Sequence, residues 1–163
     1  MQLLISLALF MLVTGSAHAA TVCNKNTVTQ TYIPKLKDSA EWSDKMLMPY
    51  ALRLCKLDQQ KEVLQKQVAD STNFWIKENN SHTCADLSPD DPEKEMSAEE
   101  CVKAYRKKID GMIDQCRATM SLGRNPHNVY IEIDSANVEI TCLRSTLVFL
   151  KWNENFLKGS GYR

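Results

Sequence analysis

The chain has 163 residues, a length that favours a single domain. Lysine plus arginine and aspartate plus glutamate number 20 each, so the formal net charge at pH 7 is zero. This balance argues against a nucleic-acid-binding protein, which needs an excess of basic residues, and a hydrophobic content of 44% argues against disorder over the whole chain.

The N terminus has the pattern of a secretory signal peptide. Leu3 to Val13 is almost wholly apolar, but about 11 residues are too few to span a bilayer, which takes about 20. Ala17-His18-Ala19 then supplies the small residues of an A-x-A cleavage site. We therefore expect a signal peptide over 1–19, cleavage after Ala19, and one disulfide-stabilised domain over 20–163 that is periplasmic or secreted and has no membrane span.

All six cysteines lie outside the expected signal peptide, and their even number in an exported chain predicts three disulfides. No C-x-x-C motif is present, and only two histidines follow the signal, so a metal site is not expected. We predict that each cysteine pairs with its neighbour along the chain, because each bridge then ties two adjacent segments together. The predicted pairs are Cys23–Cys55, Cys84–Cys101 and Cys116–Cys142.

The mature chain begins with an arm over 21–37 that is rich in Thr, Asn and Gln and is predicted to be irregular. Asp38-Ser39-Ala40-Glu41 then matches a D-x-x-E capping box, which predicts a short helix to about residue 48. Pro49 either begins a second helix or kinks one continuous helix. From Tyr50 to Trp75 apolar residues recur at steps of three and four, which predicts a helix of about 30 residues.

The next stretch, 83–95, is the most polar of the chain, and Pro89 and Pro92 exclude regular structure there. It is predicted to be a loop of about 12 residues, closed at its base by Cys84–Cys101. Ser97-Ala98-Glu99-Glu100 is an S-x-x-E capping box that begins another amphipathic helix, ending before Gly123. The loop carries five carboxylates that could contact a partner: Asp86, Asp90, Asp91, Glu93 and Glu95.

Two interpretations compete for the last third of the chain. Val129, Ile131 and Ile133 alternate with polar residues, as does the stretch from Val138 to Cys142, so a β-hairpin around 129–142 is one interpretation. A helix beginning at 134 or 135 explains a longer span of apolar residues, and we favour it. The predicted fold class is therefore all-α: a small disulfide-bonded helical bundle, with the C-terminal hairpin as the alternative.

The sequence contains no motif that identifies catalytic chemistry. No G-x-S-x-G, H-E-x-x-H, glycine-rich phosphate loop or calcium loop is present, so we expect no enzyme, no catalytic residue, no metal and no cofactor. A pair of carboxylates for glycoside hydrolysis is set by three-dimensional spacing and is not visible in sequence. The tryptophans lie on or near the helical stripes and are expected to be mostly core residues.

Two segments carry a resemblance to a known family. Asn73-Phe74-Trp75-Ile76-Lys77-Glu78-Asn79-Asn80-Ser81-His82-Thr83-Cys84 and Glu100-Cys101-Val102-Lys103-Ala104-Tyr105-Arg106-Lys107-Lys108-Ile109 resemble the paired motifs of the LprI-type lysozyme inhibitor family, W-[LI]-K-x-R-[ND]-x-x-C and C-L-x-x-x-Y-x-x-R-I. The matching positions are Trp75, Lys77, Asn79, Cys84, Cys101, Tyr105 and Ile109. The chain departs from the pattern in the position of Cys84, which comes about a residue late, and in Lys108, which stands in place of an arginine.

The resemblance implies an all-helical, disulfide-bonded envelope protein, some relatives of which inhibit lysozyme. Many lysozymes are strongly basic, and the five loop carboxylates would attract such a partner electrostatically. We therefore expect a non-catalytic secreted or periplasmic binding protein, either a lysozyme inhibitor-like protein or an immunity protein that neutralises a toxin. The alternative is a structural or accessory envelope protein that binds its partner through a helical face.

Overall fold

A computed structural model of the chain describes residues 21–37, 42–78, 97–121 and 130–159. These residues form helices and short connections, and the described part of the chain contains no strand. The all-α prediction is therefore confirmed. The helices are α1 (Lys25–Thr27), a π-helix (Val28–Tyr32), α2 (Ile33–Lys37), α3 (Asp44–Glu78), α4 (Ala98–Ser121) and α5 (Ile131–Gly159).

The two longest helices, α3 and α5, lie side by side and run in the same direction. Tyr50 near the start of α3 contacts Tyr130 just before α5, and Phe74 near the end of α3 contacts Lys158 near the end of α5. The N-terminal arm, residues 21–37, covers the first half of α3, whereas α4 packs on the second half of α3 and on α5. This arrangement gives the domain two hydrophobic clusters, one at each end of the α3–α5 pair.

The arm is helical, so the prediction of an irregular segment is wrong. Val28, Tyr32, Ile33 and Leu36 are all buried against the first half of α3 and the start of α5. Their spacing of four, one and three residues places them on one face of a helix. The stripe is short and its neighbours are Thr and Gln, which favour helices weakly, so contacts with α3 and α5 are what stabilise it.

Helix α3 is continuous over 35 residues, and Pro49 lies inside it. Of the two alternatives for Pro49, the structure therefore shows the single helix. The predicted stripe is buried as expected: Leu54, Leu64, Val68 and Trp75 all have less than a tenth of their surface exposed. The predicted capping box at 38–41 lies outside the described residues.

The predicted capping box at the start of α4 is present. The Ser97 backbone N–H donates to Glu100 Oε2 at 2.9 Å, and the Glu100 N–H donates to Ser97 Oγ at 3.3 Å. Two amides that the first helical turn leaves without partners are thereby satisfied. The box fixes where α4 begins after the polar segment that precedes it.

We expect Ser97→Ala to lower the free energy of unfolding by about 1 kcal/mol, because the Glu100 amide loses its acceptor. Urea denaturation followed by circular dichroism measures the change. Ser145→Ala is the matched control, since Ser145 is exposed within α5 and its replacement should alter stability by less than about 0.5 kcal/mol. Equal effects of the two substitutions would contradict a capping role for Ser97.

The last third of the chain is helical from Ile131, so the hairpin alternative around 129–142 is wrong. Ile133, Ile140 and Leu143 are buried, and the Asp134 N–H donates to the Tyr130 carbonyl at 2.7 Å, as in a helical turn. Apolar residues cover a wide face because α5 contacts the arm, α3 and α4. The polar position in the stripe, Glu154, is buried and paired with Lys151 and Lys158, and these lysines lower the pKa of its carboxyl through hydrogen bonds.

None of the helices in the described residues is both long enough and apolar enough to cross a membrane.

Candidate functional site

Disulfides fix the arm and α4 to the two long helices. Cys23 is bonded to Cys55 in α3, with 5.8 Å between Cα atoms, and Cys116 in α4 is bonded to Cys142 in α5, with 5.6 Å between Cα atoms. Both pairs are those that sequential pairing predicts. Cys101 is also disulfide-bonded, whereas its predicted partner, Cys84, lies outside the described residues. Both Cα separations are ordinary for a disulfide.

The predicted partner-binding carboxylates lie outside the described residues, so the structure gives no position for them. These are Asp86, Asp90, Asp91, Glu93 and Glu95. They belong in sequence to the connection between α3 and α4. The faces of α3 and α4 are the described surfaces that adjoin this connection in sequence.

A groove opens between α3 and α4 and has a volume of about 580 Å³. That volume falls within the range of about 300–1,000 Å³ typical of binding pockets. The two helices run in opposite directions and contact each other at few positions, because both pack mainly on α5. Buried apolar side chains form the floor: Val68 from α3, Ile109 and Ile113 from α4, and Leu143 from α5.

Charged residues line the α4 side of the groove. Arg117 contacts Glu139 of α5 through two nitrogens, one of them Nε at 3.0 Å, and donates to Asp114 at 2.7 Å. The hydrogen bonds to Glu139, more than those to Asp114, raise the pKa of Arg117. Arg106 donates to Asn73 of α3 at 3.0 Å, which links the two sides. Asp110 lies between these arginines and makes no ion pair with any residue that the structure describes.

The opposite side of the groove is uncharged. Gln65, Ala69 and Asn73 are exposed at successive turns of α3 and face the charged residues of α4. A ligand in the groove would therefore meet carboxylates and guanidinium groups on one side and small or amide side chains on the other. This asymmetry suits a protein surface or peptide with charged groups on one edge.

The residues that carry the family resemblance meet next to the groove. Trp75 of α3 and Tyr105 of α4 stack with parallel rings, 3.7 Å between centroids and 8° between planes, and Ile109 belongs to the same cluster. Burial raises the pKa of Tyr105 to about 12, although the nearby Asn153 side chain opposes the rise. Both rings are buried, so these motif residues hold α3 and α4 together and leave contact with a partner to other side chains.

Metal chemistry has no candidate centre within 21–37, 42–78, 97–121 and 130–159. In these ranges no three His, Cys, Asp or Glu side chains are grouped so that they could hold a metal ion.

The charged residues of the groove were missed by sequence reasoning. Arg106, Asp110, Asp114 and Arg117 recur at steps of three and four along α4. That spacing is also typical of an ordinary solvated helix face. Only the position of α5 determines that this face borders a groove.

Comparison of the chain with protein-family models, with curated proteins and with solved structures finds no match.

Proposed function

We propose that the chain is an exported, non-catalytic binding protein of the cell envelope, either lysozyme inhibitor-like or an immunity protein. The observation that carries the proposal is the α3–α4 groove, which has an apolar floor and one charged side. Disulfides on both halves of the α3–α5 pair support export, because such bonds persist in oxidising compartments. The stacking of Trp75 on Tyr105 supports the family resemblance, since two of its motif positions then form one structural unit.

The groove favours a basic protein partner. Asp114 is paired with Arg117, but Asp110 makes no ion pair with a described residue. The segment that connects α3 and α4 in sequence contains five more carboxylates. A partner with lysines or arginines on its contact surface would be attracted over a distance and would pair with Asp110 on contact.

We expect the protein to slow lysis of peptidoglycan by a basic lysozyme stoichiometrically, and Asp110→Lys to raise the inhibition constant by about tenfold. The new lysine would repel basic groups on the partner. Asp70→Lys is the matched control, because Asp70 is exposed on α3 and does not line the groove. The measurement is the rate of lysis against inhibitor concentration for the three proteins.

Each outcome of this assay bears on a different part of the proposal. A wild-type protein that never slows lysis would exclude lysozyme as the partner. Inhibition that Asp110→Lys and Asp70→Lys weaken equally would exclude the groove as the contact surface. Neutralising the five carboxylates between α3 and α4 should weaken inhibition most at low salt, because screening already reduces long-range attraction at high salt. An unchanged affinity would exclude these carboxylates from the contact.

The second candidate is an accessory envelope protein that binds through the outer face of α5. Val148 and Trp152 lie one turn apart on that face and are 70% and 65% exposed. Large apolar side chains exposed on one helix face are typical of interaction surfaces. An accessory protein would co-purify with an envelope protein in a manner that Val148→Glu abolishes, and it would leave lysozyme activity unchanged.

A further inference from the structure

The first residue that the structure describes, Thr21, is held by three polar contacts to α3. Its backbone N–H donates to Glu62 Oε2 at 3.0 Å, and its hydroxyl donates to Glu62 Oε1 at 2.5 Å. Its carbonyl accepts a hydrogen bond from the Gln59 side chain, one turn earlier on α3. The Cys23–Cys55 disulfide fixes the same stretch two residues later. Every polar group of Thr21 is therefore engaged by one face of α3.

One carboxylate at this contact, that of Glu62, has no direct ion pair with a described residue. Asp58, one turn before Glu62, is paired with Lys61 at 2.9 Å, and Tyr32 from the arm packs nearby with a neutral hydroxyl. Glu62 makes no ion pair with a described residue and is bound only by the neutral donors of Thr21. Those donors lower the pKa of the Glu62 carboxyl, although burial and Asp58 oppose the shift. The Lys61 ammonium also lowers this pKa, but it is bonded to Asp58 and makes no ion pair with Glu62. Glu62 is therefore ionised near neutral pH, and its carboxylate has no directly bonded cation among the described residues.

We propose that Glu62 and Gln59 form the binding site for the amino terminus that removal of the signal peptide creates, with Glu62 as the counterion of the new α-ammonium group. The proposal rests on the export proposed above, but it does not depend on which partner the protein binds. One residue spans at most about 3.6 Å, so an α-ammonium one residue before Thr21 lies within about 7 Å of the Glu62 carboxylate. At that distance the two charges attract each other appreciably.

This pairing makes stability depend on pH in a defined direction. The ordinary pKa of an α-amino group is about 8, and a neighbouring carboxylate raises it in the folded protein. A group whose pKa is raised on folding stabilises the protein fully below its unfolded pKa, and this contribution is lost as the pH rises through the folded value. The contribution of the amino terminus should therefore be present at neutral pH and disappear in mildly alkaline solution.

The test uses the full chain expressed with its own signal peptide and purified after export. Intact mass should identify a chain that begins at Ala20 or Thr21. The rate of acetylation of the α-amino group near pH 7 should be about threefold higher in Glu62→Gln than in the wild type, because the unprotonated fraction rises. Glu99→Gln, an equivalent change at an exposed position of α4, should acetylate at the wild-type rate.

The outcomes separate this proposal from that of export. A retained signal peptide would overturn both, whereas a processed chain whose α-amino group reacts equally in the wild type and Glu62→Gln would overturn the N-terminal site alone. If Glu62→Gln does not fold, the wild type still decides the question. Its acetylation rate near pH 7 should rise about twofold between about 0.02 M and about 0.5 M salt through screening of the ion pair, and a constant rate would overturn the proposal.

Discussion

Replacing Trp75 by alanine is expected to lower the free energy of unfolding by about 3–5 kcal/mol. Trp75 is 9% exposed and stacks on Tyr105, so the substitution removes a large apolar side chain and leaves a cavity between α3 and α4. Little else joins these two helices directly, since both pack mainly on α5. We therefore expect α4 to lose protection from hydrogen exchange before α3 does. Urea denaturation and exchange of individual amides measure the two effects.

Trp152→Ala is the control for this substitution. Trp152 is 65% exposed on α5, so its removal should cost less than about 1 kcal/mol. This difference between Trp75 and Trp152 could not be predicted from the sequence, which led to the same expectation, a mostly buried residue, for all the tryptophans. Comparable losses from Trp75→Ala and Trp152→Ala would contradict the view that the stack with Tyr105 anchors α4.

Local signals in the sequence were sufficient where a few neighbouring residues determine the structure. The capping box from Ser97 to Glu100 forms within four residues, and the structure contains it. The stripe from Leu54 to Trp75 is long enough for its three- and four-residue period to predict a helix, although two of its positions hold the polar residues Lys61 and Ser71. Ser71 is nevertheless buried, which shows that a small polar residue does not interrupt the packed face.

Short apolar patterns were insufficient, because tertiary contacts decide between the structures they permit. Ile131 and Ile133 alternate like residues of a strand, yet the same positions fit a helix that is covered on several sides. Val28 and Tyr32 form too short a stripe to predict a helix in isolation. In both cases burial against α3 stabilises the helix. The sequence of the segment alone does not predict that contact.

The groove illustrates the same limit for function. Asp110 and Arg117 are ordinary charged residues of an amphipathic helix when α4 is considered alone. They become candidates for binding because α3 and α4 both pack mainly on α5 and contact each other at few positions. The groove between α3 and α4 depends on how both helices pack on α5. The spacing of residues within α3 or α4 alone does not predict that packing.

Removal of the Cys23–Cys55 disulfide is expected to lower the free energy of unfolding by about 3.7 kcal/mol. The bond closes a loop of 32 residues, and the chain-entropy model assigns this value to a loop of that length. Both cysteines should be changed to alanine, because Cys55 is fully buried and a serine hydroxyl there would add a desolvation cost. Denaturation under identical conditions compares the double variant with the wild type.

The position of the Cys23–Cys55 bond also predicts which part of the domain its removal loosens. Cys23 lies between the Thr21–Glu62 contact and the buried stripe of the arm, so its loss should let the arm separate from α3 while α4 stays in place. Amides of the arm should then exchange faster, and those of α4 should be unaffected. The Cys116–Cys142 bond joins α4 to α5 with a sequence separation of 26. Its removal should lower the free energy of unfolding by about 3.5 kcal/mol. Amides of α4 should then exchange faster, and those of the arm should be unaffected. If both double variants speed exchange in the same amides, the two ends of the domain unfold as one unit, and the two clusters do not act independently.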